Sequence, residues 1–332
     1  MGKGEQGIFL NRDRYLLYAL AGALFLCLGP VLLDPYWLKF FSFLIISLVI
    51  ACSWNLIGGY CGYFSFGHGL FFGVGAYTIA LAVLRFNVNP YVGMLLGGLV
   101  SAALALLMSP MLRLKGFNFA LTTLALLEAT KVIFPKWEFT RGMKSWDLGW
   151  SFPPIATDTR FYFLLVLVFF LMLVSHIVFL SSRIGFAAAA LKEDELMARG
   201  VGVNTTRTRI CAFVLSAFWV GVTGAIYAPM ITYISSQAIF NLSWSVKPII
   251  VSIFGGIGTL AGPIVGGVIL VFIDQILWER FLEYHTLIYG VLLVVIVMFL
   301  PDGLLNYYAR VTSLFRRSRP VQDAKESHAS PR

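Results

Sequence analysis

Apolar runs of about 20 residues recur along almost the whole of this 332-residue chain. A run of that length is what an α-helix needs to cross the hydrocarbon core of a bilayer. Hydrophobic residues make up 59% of the sequence and charged residues only 12%, well below the charged fraction of soluble domains. The sequence therefore predicts an all-α, polytopic membrane protein. No polar stretch is long enough to bury the core of a separate soluble domain.

About ten apolar segments can be delimited, with the usual error of a few residues at each end. The predicted segments are 15–33, 37–57, 65–84, 91–112, 117–135, 161–181, 208–232, 246–258, 263–279 and 285–300. The eighth and ninth, near 246–279, are short and are joined by a glycine-rich run. They form either one broken helix or a pair of helices that does not fully cross.

The distribution of positive charge predicts the orientation of the chain. If the N-terminus is inside and all ten segments alternate, most of the 25 Lys and Arg residues fall on the cytoplasmic side, as the positive-inside bias requires. Counting the eighth and ninth segments as a single crossing would place the basic C-terminal tail outside. Both termini are therefore predicted to be cytoplasmic. The net charge of +9 belongs to loops and tails, and it does not indicate nucleic-acid binding.

Three regions follow from this assignment. Residues 1–14 form a cytoplasmic N-terminus, 15–305 the transmembrane domain, and 306–332 a polar cytoplasmic tail that is predicted to be disordered. Within the transmembrane domain, 136–160 is predicted as an outer loop and 183–209 as a cytoplasmic loop.

The cytoplasmic loop is longer than a connection between two spans needs to be. It contains a helix-prone run from Phe186 to Arg199, rich in Ala, Leu, Lys and Glu. Gly185 precedes this run and frees the geometry at its start, and Gly200 follows it as a stop signal. The run is interpreted either as a solvated loop helix or as a short helix that inserts into a groove on a cytoplasmic partner. The predicted apolar side of this helix consists of Ala187, Leu191, Leu196 and Ala198. The charged run from Lys192 to Glu195 is predicted to be exposed.

Two glycine-rich stretches are candidates for a translocation path. The first, Gly58 to Gly69, opens the third segment and contains Ser65 and His68. The second, Gly255 to Pro263, joins the eighth and ninth segments, and its break leaves carbonyl groups that need partners. Such stretches permit an unwound helix that lines a cavity. Close packing between helices explains the same glycines equally well.

Ionisable residues at membrane depth are functional candidates by default. Glu128 and Lys131 lie three residues apart on one helical face, so they can also form a self-neutralising structural pair. Asp274 has no partner nearby in the sequence. A secondary transporter driven by protons or sodium would use one of these carboxylates. No P-loop, HExxH motif or metal-ligand cluster is present, so no cofactor and no enzymatic reaction is expected.

Five blocks occur in order between about residues 37 and 305. They are NLIGGYCGYFSFGHGLFFGVGAYT (Asn55 to Thr78), LRLKGFNFALTTLALLEATK (Leu112 to Lys131), RIGFAAAALKEDELMARGVGVN (Arg183 to Asn204), VSIFGGIGTLAGPIVGG (Val251 to Gly267) and FLPDGLL (Phe299 to Leu305). Together they resemble the inner-membrane permeases of bacterial ABC importers for branched-chain amino acids, and the M-type permease subunit in particular.

The resemblance implies a heteromeric importer in the bacterial inner membrane. Its expected partners are a second homologous permease subunit, two cytoplasmic ATPase subunits that hydrolyse ATP, and a periplasmic substrate-binding protein. The cytoplasmic loop would contain the coupling helix that transmits ATPase closure. The predicted coupling residues are Gly185, Leu191, Glu193, Asp194, Glu195 and Gly200, and the predicted path residues are Ser65, His68, Thr122, Glu128, Gly256 and Gly258.

The chain departs from the family pattern in two places. The family usually carries basic residues between the coupling glycine and the acidic run, where this chain has Ala187 to Ala190. The family's outer loop usually shows a Thr-Gly-Gly pattern, whereas here it reads TRGMKSWD from Thr140 to Asp147. The first departure concerns the ATPase contacts. The second leaves urea, amides and other amino acids open as substrates beside the branched-chain amino acids.

Overall fold

The computed structural model describes residues 34–281, with gaps at 115, 135, 137–145, 148–156 and 232, and single positions between 284 and 304. The segment predicted at 15–33, most of the one at 285–300, most of the loop 136–160, and the regions 1–14 and 306–332 lie outside the described residues.

Most of the described chain is α-helical. In chain order the helices are α1 (Pro35–Asn55), α2 (His68–Leu84), α3 (Pro90–Leu107), α4 (Phe117–Ile133), α5 (Asp158–Leu180), α6 (Arg183–Glu193), α7 (Glu195–Gly200), α8 (Thr205–Ile231), α9 (Ser236–Ile239), α10 (Ser243–Gly256) and α11 (Gly262–Arg280). A π-helical turn (Leu56–Tyr60) follows α1, and a 3₁₀ turn (Ser109–Arg113) follows α3. Two short strands, β1 (Trp146–Asp147) and β2 (Tyr233–Ile234), pair antiparallel.

The helices confirm the predicted all-α class, and most of their ends lie within three residues of the predicted ones. The fourth segment is an exception, because α3 ends at Leu107 instead of continuing to residue 112. Pro110 explains the difference: proline disfavours helical geometry at the residue before it and lacks a backbone N–H. The chain therefore continues as a 3₁₀ turn.

Several helices are long and apolar enough to cross a membrane. Five described stretches meet that condition: Pro35–Tyr60, Pro90–Leu107, Asp158–Leu180, Thr205–Ile231 and Ser236–Gly256. The helices His68–Leu84 and Gly262–Leu277 are apolar but shorter. The chain is thus a multi-pass membrane protein. The count of about ten crossings and the side on which each terminus lies stay predictions.

Helices α2, α3 and α8 form the tightest part of the core because glycines let their backbones touch. A Cβ added to Gly75 of α2 would overlap the carbonyl group of Gly221 in α8. A Cβ on Gly97 of α3 would lie 2.7 Å from the Cβ of Ala225 and 3.0 Å from the Gly75 carbonyl oxygen. This is the small-residue packing by which membrane helices associate.

Helices α10 and α11 form an antiparallel hairpin. Lys247 near the start of α10 contacts Asp274 near the end of α11, and Gly255 meets Gly262 at the closed end. The chain reverses direction at Gly256 (φ 129°) and at Gly258 (φ 79°). These segments are therefore two antiparallel helices and do not continue as one interrupted helix.

Candidate functional site

The segment 183–209, called the polar loop below, begins with a close contact between its backbone and the end of α5. Ser182 caps α6, and its Oγ accepts a hydrogen bond from the Gly185 N–H at 3.3 Å. The helix begins at Arg183, so Gly185 lies inside it rather than before it as predicted. A Cβ at Gly185 would lie 2.5 Å from the Phe179 carbonyl oxygen. Gly185 thus allows α6 to fold directly against the end of α5.

The single helix predicted from Phe186 to Arg199 is wrong, because the structure has two helices in its place. Asp194 is extended (φ −154°, ψ 117°) and interrupts the helical hydrogen bonding between α6 and α7. Its carboxylate accepts hydrogen bonds from the N–H groups of Leu196 (2.7 Å) and Met197 (3.0 Å). Aspartate is a strong N-cap, so this residue starts a helix in the middle of the polar run.

The chain turns back after α7 at Gly202, not at the predicted stop, Gly200. Gly200 is the last residue of α7, and Gly202 has the positive φ (83°) that a helix end of this kind requires. The N–H groups of Gly202 and Val203 bond the carbonyl groups of Arg199 and Ala198, both at 3.0 Å. This pair of bonds is the Schellman arrangement.

Glu195 links the polar loop to the membrane core. Its carboxylate contacts the guanidinium groups of Arg199 at 2.5 Å and Arg209 at 2.7 Å. The Arg209 side chain is only 4% exposed, and its guanidinium lies 4.5 Å from the centre of the Tyr63 ring. The sequence predicted Glu195 to be exposed with the rest of its charged run, but its side chain is only 17% exposed. The ion pair and the cation–π contact connect α7, α8 and the loop before α2, residues 61–67.

The opposite side of α6 and α7 is exposed. The acidic residues Glu193 and Asp194 are exposed there, whereas the predicted apolar residue Leu191 is buried against the core. Leu196 was predicted on the same apolar side as Leu191, yet it is 75% exposed, because the break at Asp194 rotates α7 relative to α6. The large exposed apolar side chains of α6, α7 and the residue after α7, called the loop face below, are Phe186, Leu196, Met197 and Val201.

The two glycine-rich breaks meet beside α6. Asn55 joins them, because its Nδ2 donates to the Thr259 carbonyl (2.8 Å) and its Oδ1 accepts from the Gly258 N–H (2.9 Å). A Cβ on Gly258 would lie 2.5 Å from the Lys192 Nζ and 3.0 Å from the Gly59 carbonyl oxygen. The polar loop, the π-helical turn after α1 and the turn of the α10–α11 hairpin thus meet at one junction.

Hydrogen bonds hold the loop before α2 on both of its sides. The Ser65 carbonyl accepts from Trp54 Nε1 at 2.9 Å, and His68 Nε2 lies 2.7 Å from the Ser216 Oγ. Ser245 of α10 donates to the Phe66 carbonyl at 2.6 Å and accepts from the Gly69 N–H at 2.8 Å. Ser65 and His68 are completely buried. In the described arrangement they connect helices within the core.

Thr122 and Glu128, the remaining predicted path residues on α4, make local contacts, whereas Thr123 contacts another part of the chain. Thr122 donates a hydrogen bond within its own helix, to the Asn118 carbonyl at 2.7 Å. Its neighbour Thr123 is buried, and its Oγ1 accepts a hydrogen bond from the Phe66 N–H at 3.0 Å. Glu128 forms an ion pair with Lys131 at 3.5 Å, as the spacing predicted.

Sequence reasoning missed the polar residues that join separate helices, namely Asn55, Thr123, Ser216, Ser245 and Arg209. Only Arg209 carries a signal in the sequence, since a charge just inside an apolar segment needs a partner. The others are uncharged and lie among many similar residues. Asp274, unpaired in the sequence, contacts Lys247 at 2.8 Å across the hairpin.

The chain is similar in sequence to known transport proteins. Residues 36–297 match the family model described as branched-chain amino acid transport system / permease component. The chain is 30% identical to the high-affinity branched-chain amino acid transport system permease protein LivM of Salmonella typhimurium, over 78% of this chain and 68% of that protein. It is 28% identical to LivM of Escherichia coli over the same shares.

A second permease protein of the same transport system is also similar. LivH of Escherichia coli is 30% identical over 48% of this chain and 52% of that protein. No solved structure matches the chain. Because the family model spans most of the described helices, the chain belongs to the family of branched-chain amino acid transport permease components.

Proposed function

We propose that this chain is the permease subunit of a bacterial ABC importer in the inner membrane, moving branched-chain or related amino acids. The names of the LivM and LivH relatives support that substrate class and a pair of permease subunits. The further partners are two cytoplasmic ATPase subunits, which hydrolyse ATP, and a periplasmic protein that delivers the substrate. The chain itself binds no cofactor and catalyses no reaction.

The observation that carries the proposal is the double connection of α6 and α7 to the membrane core, at the Gly258 turn and at Arg209 of α8. Lys192 lies against the Gly258 turn, and Glu195 pairs with Arg209, which stacks on Tyr63. On its other side, the same short segment exposes the loop face with Glu193 and Asp194. A segment that is exposed on one side and fastened to the core on the other can transmit displacement.

The mechanism follows from this arrangement. The loop face docks on a cytoplasmic ATPase, and closure of the ATPase pair displaces α6 and α7 as a unit. Gly185 keeps α6 tight against α5, so the displacement passes to the junction at Gly258 and to the loop that contains Ser65. The path between the permease subunits then changes its accessible side. Residues 183–209 and both termini are cytoplasmic in this scheme, and 136–160 faces the delivery protein.

One experiment tests the class of transporter. The tagged chain is purified from membranes in mild detergent, its companions are identified, and the complex is reconstituted in liposomes with a binding protein. We expect ATP-dependent uptake of leucine and co-purification of two ATPases and a second permease. Leucine uptake by the isolated chain would contradict the proposal. Competition with urea, amides and other amino acids then tests the alternative substrates.

Leu196→Asp tests the docking surface. We expect it to lower the recovery of ATPase subunits with the tagged chain by roughly tenfold or more, since an apolar anchor at the centre of an interface can contribute over 2 kcal/mol. Leu196 is 75% exposed, so the change does not disturb the core. Leu196→Met keeps the apolar contact and is expected to retain the ATPases. Equal recovery with both variants would place the docking surface elsewhere.

Asn55→Leu tests the junction between the breaks. Leucine has a similar size but leaves the Gly258 N–H and the Thr259 carbonyl without their partner. We expect roughly tenfold lower uptake, while ATP hydrolysis by the assembled complex persists. Asn89→Ser is the matched control, because serine also caps the start of α3. A fall in hydrolysis that parallels the fall in uptake would argue against a role in transmission.

The ion-coupled alternative receives less support. Each of the two carboxylates that it would draw on is in an ion pair, Glu128 with Lys131 and Asp274 with Lys247. Uptake that continues after ATP depletion, with the ion gradients kept intact, would favour that alternative.

A further inference from the structure

A cavity of about 650 Å³ lies at the open end of the α10–α11 hairpin. Its walls come from α1, the end of α8, α9, α10 and α11. The volume falls within the 300–1,000 Å³ of typical small-molecule sites. It is larger than one branched-chain amino acid requires.

The cavity combines one pair of opposite charges with an aromatic wall. Lys247 and Asp274 both line it and contact each other at 2.8 Å, with side chains 48% and 29% exposed. Trp244 and Tyr227 line the cavity as well, with ring centres 5.1 Å apart. Phe43 extends the wall, 6.1 Å from Tyr227. The cavity thus offers one cation, one anion and an apolar surface within a short distance.

We propose that this cavity is a transit site for a zwitterionic amino acid, with Lys247 contacting the α-carboxylate and Asp274 the α-ammonium group. The aromatic wall receives the aliphatic side chain. The inference rests on the proposed function for the substrate class, and it assigns the residues that would recognise that class. An uncharged amide such as urea would gain little from separating the two charges.

The energetics suit a site that the substrate must leave again. Together Lys247 and Asp274 carry no net charge, which limits the cost of placing ionised groups in apolar helices. A bound zwitterion exchanges one Lys–Asp contact for two contacts of the same kind, and the cost of removing its own two charges from water offsets the added contact. Conduction requires binding that is favourable enough for the substrate to arrive and weak enough for it to depart.

The position of the pair relative to the junction links the cavity to the transport cycle. Gly258 lies in the closed end of the hairpin, beside Lys192 of α6. Lys247 lies about ten residues away along α10, or roughly 15 Å at 1.5 Å per residue. Displacement of α6 therefore acts on one end of a hairpin whose other end carries the proposed ligands.

Exchanging the charges of Lys247 and Asp274 distinguishes a role in substrate recognition from a purely structural ion pair. In the reconstituted complex, K247Q and D274N should each lower leucine uptake at least tenfold. The double variant K247D/D274K restores the contact between α10 and α11 with the charges exchanged. We expect it to remain assembled but to stay at least tenfold below wild type. Recovery of wild-type uptake would show that the pair is only structural and would overturn the proposal.

The control uses an ion pair on another pair of helices. Lys39 of α1 and Asp158 of α5 lie 3.4 Å apart and are not among the cavity residues. K39D/D158K is expected to retain uptake within about twofold of wild type. ATP-driven leucine uptake by the unmodified complex tests the proposed function separately, so its failure is distinguishable from a failure of the cavity assignment.

A second measurement needs no change in charge. Ser47 lines the cavity and is partly exposed, so S47C can be labelled with a water-soluble thiol reagent, above the background of the native cysteines. Leucine should slow the labelling at least threefold. The carboxylate 4-methylpentanoate and the amine isoamylamine, each with one of the two charges, should not. Equal protection by all three compounds, or none by leucine, would overturn the assignment of the two ligands.

Discussion

Replacing Glu195 with glutamine is expected to remove nearly all transport and to lower the thermal stability of the protein. The Arg209 side chain is 4% exposed, and the change leaves its charge without the carboxylate that contacts it at 2.7 Å. Breaking such a buried pair from one side costs about 3–5 kcal/mol. The measurement is leucine uptake in liposomes, together with the fraction of protein that stays monodisperse after heating in detergent.

Two comparisons distinguish the roles of the neighbouring acidic residues. Glu193→Gln removes an exposed charge, so it is expected to leave thermal stability unchanged while it weakens recovery of the ATPases. The double variant Glu195→Gln/Arg209→Met removes both charges and should recover much of the lost stability, since uncharged replacements of a buried pair are often tolerated. If the double variant also regained full transport, the pair would serve the fold and not the transmission of movement.

Replacing Gly75 with leucine is expected to destabilise the α2–α3–α8 core. A Cβ at this position already overlaps the Gly221 carbonyl group, and a backbone atom cannot rotate away as a side chain can. Overpacking costs typically 1–3 kcal/mol, and about 3 kcal/mol is expected where two backbones touch. Size-exclusion chromatography of the heated protein in detergent should show loss of the monodisperse peak several degrees below wild type.

The matched control for the core is a glycine that has no close neighbour among the described residues. Within that part of the chain a Cβ on Gly290 meets no atom within 4 Å, so Gly290→Leu is expected to leave thermal stability unchanged. Equal behaviour of the two leucine variants would show that α2 and α8 are farther apart than described. A selective loss at Gly75 would support the close backbone contact.

The polar loop shows where sequence patterns stop being informative. Helix-forming composition predicted helical structure between Phe186 and Arg199, and helices are present. The same composition cannot show that Asp194 leaves the helix, because aspartate tolerates a helix interior and also caps an N-terminus. The choice depends on Glu195 and Leu191, which the core holds in place through Arg209 and buried apolar contacts. The division into two helices is thus a tertiary effect.

The candidate site shows the same limit at the level of single residues. Thr122 and Thr123 are identical in the sequence, but only the side chain of Thr123 faces the loop before α2. Asp274 and Lys247 are 27 positions apart and become neighbours only through the reversal at Gly256 and Gly258. Neither contact has a local pattern that could predict it.

The sequence alone determined the membrane class, the positions of most helices and the family, because apolar length and ordered motifs are local properties. Only the tertiary structure decided which buried polar groups pair with one another and where the glycine-rich breaks meet α6. The physical reason is that a lipid-surrounded core offers little water, so each polar side chain must find its partner on whichever helix packs beside it. That neighbour is set by the contacts between backbones at Gly75, Gly221 and Gly258.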